Sequence, residues 1–302
     1  MRFDSVLTLV ATLPNPPLEF KQIQRVGEAM RAAGALTALP DWLCADVAAD
    51  IGFTGLEPDM AADLARRTLC GHAVDAVAQP FASRRKYLLV ADMDSTIIEQ
   101  ECLDELAGEA GIKDEIAAIT EAAMRGELDF EGALRARVAR LSGLSLSALE
   151  RARDRLTLTP GAVDLVQTMR KNGAECHLVS GGFRYFTRHI AGLVGFNSDR
   201  SNEFGVEGDV LSGEVIDPIL GKEAKLQTLN ELTEALGLRN AETLAVGDGA
   251  NDLPMLQAAG LGVAFHAKPK VAAETRAIVS HSDLTALLYL QGYRADEIYS
   301  RG

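Results

Sequence analysis

Downstream of residue 86 the chain alternates short, mainly apolar runs with stretches of helical spacing, the pattern of βαβ units. Four runs stand out: YLLVA before Asp92, AECHLV before Ser180, TLAV before Gly247 and LGVAF before His266. They are too uniformly apolar for half-exposed strands and predict buried strands of a parallel sheet. In open sheets of this kind ligands bind beyond the carboxyl ends of the strands, so the loops after these runs are expected to converge. Residues 162–169 carry aliphatic side chains at helical spacing and predict a helix packed on the sheet, and residues 204–216, FGVEGDVLSGEVI, predict a hairpin.

Upstream the pattern differs. Residues 5–13, SVLTLVATL, alternate as a strand, PNPP interrupts, and residues 20–33 space their apolar positions as a helix. Helix-like segments continue to about residue 78, and residues 79–86, QPFASRRK, read as a polar, basic linker. The boundary is placed near residue 82, giving a small α+β module over 1–82 and a larger α/β unit over 83–302. Between the first two buried runs, residues 100–155 form a helical stretch far longer than a crossover needs, which predicts an inserted cap. The expected fold is thus a doubly wound parallel sheet with a helical cap and a small N-terminal α+β domain.

Composition narrows the partners. A net charge of −13 argues against nucleic acid and anionic membrane surfaces, and an anionic ligand would need local cations. The four cysteines, Cys44, Cys70, Cys102 and Cys176, lack metal-ligand spacing and read as buried thiols of a reducing compartment. The apolar run ending at Leu13 has neither the length of a membrane span nor the form of a cleavable signal, so a cytoplasmic protein is expected. The five histidines form no ligand-spaced cluster and read as core or surface residues.

The chemistry concentrates in the strand-end loops. Asp92 and Asp94 in DMDST could cap a helix, or one carboxylate could attack an electrophile or bind a cation while its neighbour handles a proton. A calcium loop is excluded, because Ile97 and Leu103 stand where such a loop needs Gly and Glu. In SGGF, Ser180 and the backbone after it are placed to hold a phosphate. VGDGAND brings Asp248, Asn251 and Asp252 to a second acidic strand end, oxygen ligands of the kind Mg²⁺ prefers. On the helix GKEAKLQTL, spacing alone does not choose between Lys222 and Lys225.

DMDST, SGG, a downstream Lys and GDGAND, in this order, resemble the four motifs of the haloacid dehalogenase superfamily of phosphohydrolases. The wording of DMDSTIIEQECLDELA, LDFEGALRARV, VSGGF and AVGDGANDLPML resembles, within it, the phosphoserine phosphatase family, from about Tyr87 onward. The resemblance implies Asp92 as nucleophile, Asp94 as general acid and base, and Mg²⁺ held by Asp92, the Asp94 backbone carbonyl and Asp248. It implies Ser180, Gly181, Lys225 and Asn251 on the phosphate, and Asp252 orienting Lys225. In the cap it implies Glu101 on the serine ammonium, Arg137 on its carboxylate and Phe130 closing over both. The implied substrate is O-phosphoserine, hydrolysed in the last step of serine biosynthesis. The N-terminal module resembles regulatory or dimerising additions of longer bacterial members, so a homodimer is admitted. The rivals are another small-molecule phosphatase, a phosphotransferase to an alcohol such as homoserine, and a phospho-accepting signalling module.

Overall fold

The computed structural model describes residues 3–12, 14–124 and 127–299, without the side chains of Met124 and Lys222. Its strands are β1 Ser5–Val10, β2 Leu36–Thr37, β3 Asp41–Cys44, β4 Ala48–Thr54, β5 Asp75–Pro80, β6 Leu88–Ala91, β7 Glu175–Phe183, β8 Ser198–Glu207, β9 Val210–Ile216, β10 Thr243–Gly247, β11 Leu261–Phe265 and β12 Ala277–Val279.

The larger sheet has the order β12-β11-β10-β6-β7-β8-β9, parallel throughout except for the β8/β9 hairpin. The four apolar runs of the sequence are β6, β7, β10 and β11. Their side chains alternate between two cores: Leu89 and Ala91 of β6 face one, Leu88 and Val90 the other. Helices Ala162–Lys171 and Arg184–Val194 cover the first face; Lys222–Ala235 and Leu253–Ala258 cover the second. This doubly wound arrangement buries β6 on both sides and explains why it carries no polar residue. The hairpin expected over 204–216 is present as the end of β8 paired with β9, whereas the largely polar start of β8 and the three-residue β12 left no signal in the sequence.

The inserted segment is four short helices, Cys102–Ala110, Lys113–Met124, Phe130–Ala139 and Leu146–Asp154. Its entry and exit are tied: Ile98 and Leu158 form an antiparallel bridge, and the Gln100 amide both donates to Thr157 Oγ1 (2.7 Å) and accepts from Thr157 N (2.9 Å). On its other side the cap rests on the β8/β9 hairpin, where Gly143 N donates to Leu211 O and Leu211 N to Leu144 O, each at 2.9 Å.

The N-terminal module has the order β2-β4-β1-β5 with β3 on β4, and a βαββ(β)αβ chain path like that of ferredoxin-type folds. Helices Phe20–Ala32 and Pro58–Thr68 cover one face, over Leu7, Leu9, Ile51 and Phe53. The opposite face packs on the larger unit, where Val10, Ala48 and Val77 join its main core.

Residues 79–86 are not the polar linker their composition suggests. Arg84 makes a two-pronged pair with Asp50 (2.6 and 3.1 Å) and donates to Tyr289 O at 3.2 Å. Gln79 donates to Leu290 O, and buried Lys86 donates to Ser83 O and Ala241 O at 2.7 Å. Desolvation lowers the Lys86 pKa to about 8, against the pull of Glu242. The polar residues of this stretch are anchors, because a connection between two packed units has buried backbone carbonyls to satisfy. The cysteine expectation also fails in part: Cys102 and Cys176 are buried, but Cys70 is exposed just after its helix. Among the described residues no helix is long and apolar enough to cross a membrane.

Candidate active site

The ends of β6, β7 and β10 and the turn after β11 meet the cap at a cavity of about 360 Å³. Asp92 follows β6, and the chain then leaves the sheet through a tight turn in which Asp94 is extended and Ser95 has φ 56°. That conformation aims both carboxylates inward. Asp92 Oδ1 accepts from Met93 N at 2.8 Å and lies 2.6 Å from Lys225 Nζ, which leaves Oδ2 without a hydrogen bond among the described residues. Lys225 sits on helix Lys222–Ala235, buried beneath the cavity, and its ammonium reaches Asp252 Oδ1 at 2.5 Å. The second oxygen of Asp252 accepts from Gly249 N at 3.0 Å, which fixes the turn after β10.

The side chain of Asp94 is engaged twice. Oδ1 accepts from Cys102 N, the first residue of the cap, at 2.8 Å, and Oδ2 accepts from Ser180 Oγ at 3.0 Å. Ser180 Oγ in turn accepts from Gly182 N at 2.8 Å. The SGGF segment is the extended end of β7, with its helix beginning only at Arg184. Space is tight there: a Cβ on Gly182 would stand 3.2 Å from Asp94 Oδ2, and one on Gly181 would stand 3.2 Å from the Phe130 ring, so either would push those side chains aside by a few tenths of an ångström. Phe130, the first residue of its cap helix, thus lies directly over Gly181.

The cap supplies Glu101, Arg137 and Thr120 to the lining, with Asp104 beside them. Glu101 accepts from Ser95 Oγ at 2.8 Å. Its surface opens to the cavity, yet the surrounding protein desolvates the carboxyl, and with nearby Asp94 pushes its pKa up to about 7. Among the described residues Arg137 donates only to Ala133 O of its own helix (3.3 Å); burial works against its charge while Asp104 and Glu101 support it. Its guanidinium therefore faces the cavity without a carboxylate partner among the described residues.

Acids outnumber bases here. Asp92, Asp94, Glu101, Asp104 and Asp248 line the cavity against Arg137 and Lys268. Burial, then Asp252, raises the carboxyls of both Asp92 and Asp248. Lys225 pulls Asp92 the other way, and its ammonium, although desolvated, is held above its usual range by Asp92 and Asp252. One oxygen from each of Asp92, Asp248 and Asp252 falls within 4.8 Å of the others, a cluster able to hold a metal ion. Both oxygens of Asp252 are already bonded, so Asp92 and Asp248 are its open donors; hard oxygens of this kind suit a small divalent cation.

The structure thus brings Asp92, Asp94, Glu101, Phe130, Arg137, Ser180, Gly181, Asp248 and Asn251 to one cavity, with Lys225 and Asp252 just beneath it. Lys225, the lysine the resemblance implied, stands against Asp92, while the side chain of Lys222 lies outside the described residues. Sequence reasoning missed Lys268, Asp104 and Thr120. Lys268 was within reach, lying in the loop after a strand already read as leading to the site; Thr120 and Asp104 carry no signal apart from the packing of the cap. A 610 Å³ groove lined by Leu146, Tyr185 and Phe204 is larger but gathers no comparable set of acids.

Residues 89–257 match the haloacid dehalogenase-like hydrolase family. The phosphoserine phosphatase of Haemophilus influenzae is 47% identical over 203 residues, 67% of this chain and 65% of its own, so the chain spans less than two thirds of that relative. The phosphoserine phosphatase of a Polaromonas species is 44% identical over 71% of this chain and 94% of its own. Among solved structures, a probable phosphoserine phosphatase from Vibrio cholerae in unliganded form superposes with a TM-score of 0.79 at 30% identity, over 97% of this chain and 88% of that one. That likeness includes the N-terminal module.

Proposed function

Since the chain belongs to the haloacid dehalogenase-like hydrolases, we propose that it is a Mg²⁺-dependent phosphoserine phosphatase, releasing serine and phosphate from O-phosphoserine as the last step of serine biosynthesis. The observation that carries this reading is the division of charge in the cavity. Its core side offers Asp92, Ser180 and the Gly181 backbone, while its cap side offers one acid, Glu101, and one unpaired cation, Arg137. A small zwitterion bearing a phosphate fits that division: ammonium to Glu101, carboxylate to the planar guanidinium, phosphate to the core.

Asp92 Oδ2 attacks phosphorus while Lys225 and Met93 N hold Oδ1, so the nucleophile keeps one orientation and an aspartyl phosphate forms. Asp94 gives its proton to the departing serine oxygen and then takes one from the attacking water, serving both half-reactions. A phosphate drawing the Ser180 hydroxyl toward itself frees Asp94 Oδ2, which couples substrate arrival to release of the acid-base group. Asp92, the Asp94 backbone carbonyl and Asp248 would hold Mg²⁺, which when bound would offset the crowding of acids and supply charge to the phosphoryl oxygens. Asn251 contacts the phosphate side, and Phe130 over Gly181 limits water during attack.

Phosphate release should be measured with phosphoserine, phosphothreonine, phosphohomoserine and sugar phosphates, first with Mg²⁺ and then with EDTA. Rapid, Mg²⁺-dependent release favouring phosphoserine is expected. Preference for another ester would discard the substrate and keep the chemistry.

A further inference from the structure

One cation of the cavity has no part in the mechanism above. Lys268 lines it from the turn after β11, beside Asp248, and its ammonium makes no hydrogen bond or ion pair with the described residues. Lys225 lies beneath, already shared by two carboxylates. An incoming phosphate dianion therefore meets a wall dominated by acids, where Lys268 is the lining cation on the core side.

The backbone that carries this lysine is held firmly. His266 N donates to Val279 O at 2.8 Å, and His266 Nε2 lies 2.8 Å from Ser282 O. Lys268 N reaches Asp248 O at 3.4 Å, and Pro269 follows at once. His266 adopts φ 45°, a left-handed conformation uncommon for residues with a side chain and held here by the hydrogen bonds just named. The turn that receives His266 is itself gripped by the N-terminal module. Both oxygens of Asp75 accept from its amides, Ser280 N and Ser282 N at 2.8 Å and His281 N at 3.2 and 3.3 Å. A flexible side chain on a fixed backbone beside the acids is what a second anion contact requires.

We propose that Lys268 is a phosphate-binding residue of this site, and that Asp75 positions it from the N-terminal module through the 280–282 turn and His266. The proposal rests on the phosphatase reading for its substrate, and it adds a cation that meets the phosphoryl oxygens from the Asp248 side.

The test uses the full chain and two readouts. Binding of inorganic phosphate is titrated calorimetrically with Mg²⁺ present, and kcat and KM are measured for phosphoserine and for an aryl phosphate. Lys268→Met should weaken inorganic phosphate about tenfold, the scale of one charge-assisted hydrogen bond, and raise KM for both esters by the same factor. Lys268→Arg should restore most of both, and thermal stability should not move because the side chain is exposed. His266→Ala should reproduce part of the loss and His266→Gln, which keeps an N–H donor, should recover it. Wild-type phosphate affinity in Lys268→Met overturns the proposal, and so does a KM rise confined to phosphoserine, which would place the lysine at the amino-acid end. A wild-type protein that binds phosphate but hydrolyses no phosphoserine would overturn the substrate reading, with Lys268 still decided by the titration.

Discussion

Lys225 Nζ stands 2.6 Å from Asp92 Oδ1, with 3% and 7% of the two side chains exposed, and Asp252 closes the pair from the other side. Among the described residues neither acid has a second cation within ion-pair reach. Lys225→Met should thus lower kcat by about a hundredfold or more and destabilise the fold by about 3 kcal/mol, the scale of leaving buried charge unmatched. Adding Asp252→Asn to Lys225→Met should recover much of the melting temperature and none of the turnover. Recovery of both would mean that Lys225 serves stability alone.

Arg137 has no carboxylate partner among the described residues, so its removal breaks no ion pair in the free protein. Arg137→Ala should raise KM for phosphoserine by about tenfold or more, the worth of a charge-assisted contact, and leave an aryl phosphate nearly unaffected. Equal effects on the two esters would remove Arg137 from the amino-acid end.

Glu101, with its pKa near 7, gives the site a pH dependence of definite sign. The proposed ammonium contact needs the carboxylate, so kcat/KM for phosphoserine should fall as pH drops through about 7, by about tenfold per unit well below it. Because folding raises this pKa, ionisation works against stability above pH 7, and Glu101→Gln should not lower the melting temperature at pH 8. The same variant should flatten the acid limb measured with phosphoserine; an unchanged limb would assign it to another group.

The N-terminal module contributes Val10, Ala48 and Val77 to the main core, and buried Asp50 is the partner of a half-buried Arg84. Asp50→Ala should cost about 3 kcal/mol, because the guanidinium is left inside without its acid. Deleting residues 1–82 would uncover that apolar face, and the product should be insoluble or strongly destabilised in denaturant titration. A shortened chain with full activity and stability would show that the larger unit folds alone.

The strands leading to Asp92, Ser180 and Asp248 were legible because burial on both faces favours mainly apolar runs, and a strand end with two acids has few structural excuses. The cap was legible as a helical excess between two strands, but not as four helices, since their turns depend on packing against one another. What stayed hidden was long-range. QPFASRRK looks solvated by composition, yet Gln79, Arg84 and Lys86 satisfy carbonyls more than 150 residues away. Lys268 stayed hidden for a related reason: a lone lysine gains meaning only when the turn that carries it is seen to be fixed.

The bridge between Ile98 and Leu158 joins the cap's two stalks, while loop 143–146 leans on a hairpin that arrives more than sixty residues later. Reaction chemistry and substrate choice are therefore separable parts of this chain, but the seam between them is not contiguous in sequence. Exchanging residues 102–154 for a cap of different selectivity would leave the β8/β9 hairpin mismatched. A working chimera has to carry the hairpin with the cap, as a single transplant cut at two places.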